Sequence, residues 1–302
     1  MSRLFQAYVM VDWSASASPK TGKDSVWIGV SKRDVRFRQV FDAVNPPTRD
    51  AAMAALAEIL ADLAKRGEKV LLGFDFPLGY PSGTASRLSQ VQPAWKGMWA
   101  FLAHHVKDKP DNTNNRFGVA NNMNRLMTDQ ARPFWGCPPK DAQRWLSSTK
   151  PVGDFDDVPP QFRLAELATQ GKGKAGAKTV WQTFGNGTVG SQAIVGIPRV
   201  KKLKDTLGDK SRIWPFETGW KSMTLADLDD VEVVMAEIYP SMFEVKPESG
   251  EVIDRAQVRT VCEEFARLDE AGKLGACFGP ASGTEPAQVS LVEQEEGWVL
   301  GI

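Results

Sequence analysis

The sequence predicts an α/β fold: a mixed five-stranded sheet with flanking helices and a large, mostly helical and irregular insertion. Three observations carry this. Apolar runs of strand length open the chain and return near residue 231. An amphipathic helix separates the third run from the fourth, the spacing of a crossover between parallel strands. Between residues 81 and 230, Pro, Gly, Asn and Trp are dense and strand periodicity fades.

Gln6–Val11 is a short apolar run that ends at Asp12 and reads as a buried strand. Ser25–Ser31 and Val35–Asp42 alternate and are rich in β-branched and aromatic residues, so they read as an antiparallel meander turning at Lys32–Asp34. Asn45-Pro46-Pro47-Thr48 breaks the chain and offers Thr48 as a helix N-cap. From Arg49 to Arg66, Met53, Leu56, Ile59, Leu60 and Leu63 recur at helical spacing, and Gly67 ends the run. Lys69–Phe74 is a continuous apolar strand leading into Asp75.

Helical stretches are expected near Trp95–Val106, Asn115–Gln130 and Gln161–Gln170, and Gly171–Lys178 reads as a basic loop. Val231–Ile238 resumes a strand, Asp254–Gly272 is helical, and a last helix runs from Thr284 to about Glu296. The 302 residues are read as one domain, with core 1–80 and 231–302 and insertion 81–230.

Composition excludes several classes. Lys+Arg and Asp+Glu both number 37, which argues against binding nucleic acid by bulk charge. The charge is uneven, however. Residues 140–212 hold 13 basic and 7 acidic groups, whereas residues 213–302 hold 6 and 18, so a basic surface around the middle segment is expected to attract an anionic substrate. Cys137, Cys262 and Cys277 are odd in number and lack a CxxC spacing, which argues for reduced thiols over a disulfide frame or a zinc site. No signal peptide and no run of about 18 apolar residues is recognised, so the expectation is a cytoplasmic protein without a membrane span.

Familiar motifs fall short. Gly185–Gly190 spells GxGxxG, but the β-branched residues, Gly196 and Pro198 that follow do not favour the helix a dinucleotide site needs, so a turn is expected and NAD is rejected. Gly171–Thr179 misses the P-loop register by Ala177, and Lys20–Ser25 puts Asp24 where Ser or Thr belongs. Cys137 has no sequence relation to His104 or His105 and reads as a small buried residue. No GxSxG elbow occurs. Ten tryptophans suit the filling of an irregular core better than base stacking.

Carboxylates remain. Asp12 and Asp75 end the first and fourth strands, the edge where open α/β sheets bind ligands. Glu237 lies near the end of the strand after the insertion, and Asp254 opens the helix beyond it. Acids converging from separate elements repel unless cations lie between them, and Mg2+ accepts a few carboxylates together with water and phosphate oxygens.

Val11-Asp12-Trp13-Ser14, Gly73–Pro81, Glu237–Phe243 and Glu296-Gly297-Trp298 resemble the DUF429 family, described as predicted nucleases of the ribonuclease H-like superfamily. The resemblance spans residues 1–80 and about 231–302; within the insertion it extends only to Gly190-Ser191-Gln192 and Pro215–Thr218. It implies a ribonuclease H-like sheet, with Asp12, Asp75 and Glu237 holding Mg2+ (or Mn2+) and Asp254 as a further catalytic acid. Asp269 and Glu217 compete with Asp254 for the late position. The expected function is that of a metal-dependent nuclease or phosphodiesterase, with nucleic acid or another phosphate-containing substrate as partner. The alternatives are a small-molecule phosphotransferase or ATPase of the same sheet topology, in which the Trp13–Asp24 loop holds nucleotide phosphates, and a non-catalytic binding module.

Overall fold

The computed structural model describes residues 3–90, 93–153, 157–169 and 178–302. The basic loop expected at 171–178 lies outside the described residues except for Lys178. The first strand, β1 (Ala7–Asp12), pairs antiparallel with β2 (Trp27–Arg33), and β2 with β3 (Gln39–Val44). The turn of this hairpin lies at Asp34–Arg38, later than expected. The Asp34 carboxylate builds it, accepting the backbone N–H groups of Arg36 (2.8 Å) and Arg38 (2.9 Å). Val35 and Phe37 are therefore exposed at its tip instead of lying in a strand.

Helix α1 (Arg49–Lys65) begins where expected. Thr48 Oγ1 accepts the Ala51 N–H at 3.1 Å, and Gly67 adopts the positive φ of +70° that closes the helix. Ala52, Leu56, Leu60 and Leu63 make one buried stripe, spaced four, four and three apart. The chain returns as β4 (Val70–Phe74), parallel to β1 and buried throughout.

Helices α2 (Thr84–Arg87), α3 (Ala94–His105), α4 (Arg116–Thr128), α5 (Leu164–Thr169) and α6 (Gly190–Leu207) follow. They lead to β5 (Ser211–Ile213) and β6 (Val233–Glu237), parallel to each other, with β6 parallel to β4. The sheet thus has six strands in the order β3-β2-β1-β4-β6-β5, not five. The extra strand comes from inside the segment read as an insertion, and three residues are too few for alternation to show. Helix α7 (Ile253–Glu270) covers one face of the sheet through Val258, Val261, Cys262 and Phe265, while α1, α3, α4 and α6 contribute to the core on the other. The final helix is shorter than expected: α8 (Pro286–Leu291) passes into a π turn at Val292–Glu296.

Helix α6 corrects a second expectation, because Gly190 does open a helix. Nine buried residues along α6, from Gly190 to Leu203, outweigh the missing N–H of Pro198 and the poor propensity of its β-branched residues. Gly196 is required for the approach, since a Cβ there would stand 2.6 Å from Cε2 of Phe76. Among the described residues no helix is long and apolar enough to cross a membrane.

Gly196→Ala is expected to cost about 1–3 kcal/mol by overpacking, read as a lowered urea midpoint. Adding Phe76→Leu to it is expected to recover part of the loss, because the clash is with that ring.

Candidate functional site

Parallel pairing of β1 with β4 aligns Val11 with Phe74, so the next residues, Asp12 and Asp75, leave the sheet side by side. The Trp13 backbone N–H donates to Asp75 Oδ1 at 2.7 Å, and the Asp75 N–H donates to Val11 O at 3.2 Å, which ties the two strand ends together. Removal from water raises both carboxyls above the usual carboxylate range; for Asp12 the charges of Asp75 and Asp254 add to the effect.

Asp12 lines a cleft of about 650 Å3. One wall is the loop after β1, where Ser14, Ser16, Lys20 and Asp24 face the cavity. Arg49 fixes that wall from behind. It is wholly buried, donates through Nη1 to Ser14 O (3.0 Å) and Ser16 O (2.7 Å), and pairs with Asp108 at 2.5 Å. The opposite wall is the Gly185–Thr188 turn and the first turn of α6. Gln192 Nε2 donates to Trp13 O and joins the two walls next to Asp12. Gly185 and Gly187 take φ of +120° and +67°, so this segment is a turn, as expected. Its position beside Asp12 was not legible in the sequence.

Asp254 reaches the same cleft from the first turn of α7. Its Oδ2 accepts the Asp24 N–H at 2.5 Å, so it anchors the far end of the loop after β1. Burial, and the nearby charge of Asp24, raise its pKa. The two competing late acids lie elsewhere. Asp269 accepts Leu4 N–H and Phe5 N–H, both at 2.9 Å, and Tyr8 Oη–H at 2.6 Å, fastening the chain start to α7. Glu217 accepts the Ile213 N–H at 2.9 Å and pairs with Lys204 at 3.4 Å.

Glu237 ends its strand as expected, but its carboxylate is not joined to Asp12 and Asp75. Arg163 holds it through Nη2 (2.6 Å) and Nη1 (2.8 Å), while the same guanidinium binds Glu166 at 2.5 Å. Glu296 closes the cluster, accepting Ser82 N–H at 2.8 Å and Leu164 N–H at 2.7 Å. Burial raises the pKa of both Glu237 and Glu296. The expectation that Glu237 is a ligand for the metal is thus met by a buried ion pair instead. Three acids surround one guanidinium here, and no sequence signal linked Arg163 to them.

Among the described residues, no group of three or more His, Cys, Asp and Glu side chains is arranged to hold a metal ion. Mg2+ is commonly held by only one or two carboxylates, the number that Asp12 and Asp75 supply at adjacent strand ends. Comparison with family models, characterised proteins and solved structures gave no match.

Asp75→Asn keeps an acceptor for Trp13 N–H and removes one of two neighbouring charges. Because the folded pKa values are raised, the pair stabilises the fold below about pH 4, and that contribution is lost as pH rises through the folded values. In EDTA at pH 8, Asp75→Asn is expected to raise Tm by roughly 1–2 °C, about 1 kcal/mol for a chain of 302 residues. At pH 5 the gain should shrink. Arg163→Met, which strands Glu166 and Glu237, is expected to cost about 3–5 kcal/mol in chemical denaturation.

Proposed function

We propose that the protein is a metal-dependent phosphodiesterase acting on nucleic acid, with its site at Asp12 and Asp75 and with Asp254 as the later acid. The observation that carries this reading is the alignment of two acids at adjacent parallel strand ends, one of which, Asp12, lines a polar cleft. The order β3-β2-β1-β4-β6, with β2 alone antiparallel to its neighbours, supports a ribonuclease H-like sheet and fits the resemblance to the DUF429 family.

In this reading Asp12 and Asp75, in their charged forms, would hold Mg2+ or Mn2+. The ion would supply Lewis-acid stabilisation of the phosphoryl oxygens and lower the pKa of bound water. The Trp13 N–H keeps Asp75 oriented, and Asp254 fixes the loop that faces the substrate. Glu237, paired with Arg163, serves the scaffold under the strand ends.

One observation favours phosphoryl transfer to a small molecule as a second reading. The loop after β1 and the Gly185–Thr188 turn face each other across the cleft, as two walls around a nucleotide would. A single set of experiments separates the two. Calorimetry should show Mn2+ binding to the wild type that is weakened at least roughly 10–100-fold by Asp12→Asn, the loss typical even of residues that only support a ligand. The wild type should cleave an oligonucleotide in Mn2+ and stop in EDTA. Cleavage in EDTA, or full activity in Asp12→Asn, would refute the reading. Stabilisation by ATP at saturating Mg2+, without cleavage, would favour phosphoryl transfer.

A further inference from the structure

Three arginines bury much or all of their guanidinium groups around the site, and two have carboxylate partners. Arg49 pairs with Asp108 and Arg163 with Glu166 and Glu237. Arg116, the first residue of α4, does not. Its Nε donates to Ser191 Oγ at 3.0 Å and its Nη1 to Asn114 Oδ1 at 2.9 Å, both neutral partners. Its guanidinium carbon lies 4.3 Å from the centre of the Phe117 ring. Among the described residues, no carboxylate oxygen comes within 4.0 Å of it. The acids that act on its charge, Asp141 and Asp108, do so from beyond ion-pair distance, and Asp108 is already occupied by Arg49 and Arg199. Burial, and repulsion by Arg49, lower the Arg116 pKa to about 10.

A largely desolvated cation with neutral partners is costly unless an anion completes it. Arg116 lines the same cleft as Asp12. Its partner Ser191 precedes Gln192, which bonds Trp13 O, so the guanidinium and the acids are linked through one turn of α6. Nη2 has no hydrogen-bond partner among the described residues, which leaves an N–H edge for an oxyanion.

We infer that Arg116 forms a phosphate-binding subsite in the cleft, which takes the phosphate next to the one at Asp12 and Asp75. The anion site stands on the geometry of Arg116 alone; assigning its phosphate to a nucleic-acid strand rests on the phosphodiesterase reading. Phe184, 49% exposed and packed edge-on to Phe117 with ring centres 6.4 Å apart, lines the cleft beside it. It offers an aromatic face to the base of that nucleotide, which suits a single strand.

The test is made in EDTA, so that it is independent of any metal site. Binding of the oligonucleotide dT4 and of inorganic phosphate to the full chain is measured by calorimetry, at two salt concentrations. The wild type is expected to bind dT4, with inorganic phosphate competing. Arg116→Gln should weaken dT4 binding roughly tenfold or more, the worth of one charged hydrogen bond. Its salt slope should fall by about one. The Tm of ligand-free Arg116→Gln should equal or exceed that of the wild type, because an uncompensated charge has gone. Equal dT4 affinity in the variant would overturn the subsite. A Tm lowered by several degrees would do the same, since Arg116 would then be a structural residue. Binding of phosphate but not dT4, lost in Arg116→Gln, would keep the anion site and overturn the strand as its ligand. Failure of Mn2+ binding or cleavage would overturn the phosphodiesterase reading and leave these results standing.

Discussion

Two carboxyl groups partly buried at adjacent strand ends are each harder to charge than in water, and the cleft is built beside that constraint. Parallel pairing of β1 and β4 forces Asp12 and Asp75 together. The Trp13 N–H then compensates Asp75. Asp254 and Asp24 add negative charge to the same region.

The surrounding charges are arranged by buried arginines with different tasks. Arg49 holds the loop after β1 by its carbonyls and leaves the side chains of Ser14 and Ser16 facing the cavity. Arg163 gathers Glu166 and Glu237 and donates to Glu296 O, which welds α5 and the C-terminal π turn to the end of β6. Gly79 allows that junction, since any side chain there would meet the backbone carbonyls of Glu295 and Glu296. Arg116, half-buried, is the exception: among the described residues no carboxylate lies within ion-pair distance of it, and it lines the cleft.

Local patterns were legible where a residue's neighbours in sequence are also its neighbours in space. The stripe of α1 with its Thr48 cap, the strand β4, and the acids Asp12 and Asp75 at strand ends all belong to this class. Other features depend on distant partners. The three-residue strand β5 exists because β6 offers it an edge, and α6 forms through Pro198 because Phe76 and the sheet bury its face. Glu237 has the same strand-end signature as Asp12 and Asp75, yet Arg163, 74 positions away, engages it. Asp254, Asp269 and Glu217 were equivalent contenders by type; only packing separated the acid facing the cleft from the two that fasten backbone N–H groups.

By itself, the sequence determined the α/β class, the antiparallel meander and helical crossover that start the sheet, and the delivery of Asp12 and Asp75 to one edge. Hydrophobic period and capping chemistry act over a few residues, and they suffice for that. The tertiary structure decided which other groups share the cleft. It brought Arg116 and the Gly185–Thr188 turn to Asp12, and took Glu237 and Asp269 into the scaffold. Those assignments depend on charge compensation between segments far apart in the chain, and a buried charge takes its partner from whatever the fold places beside it.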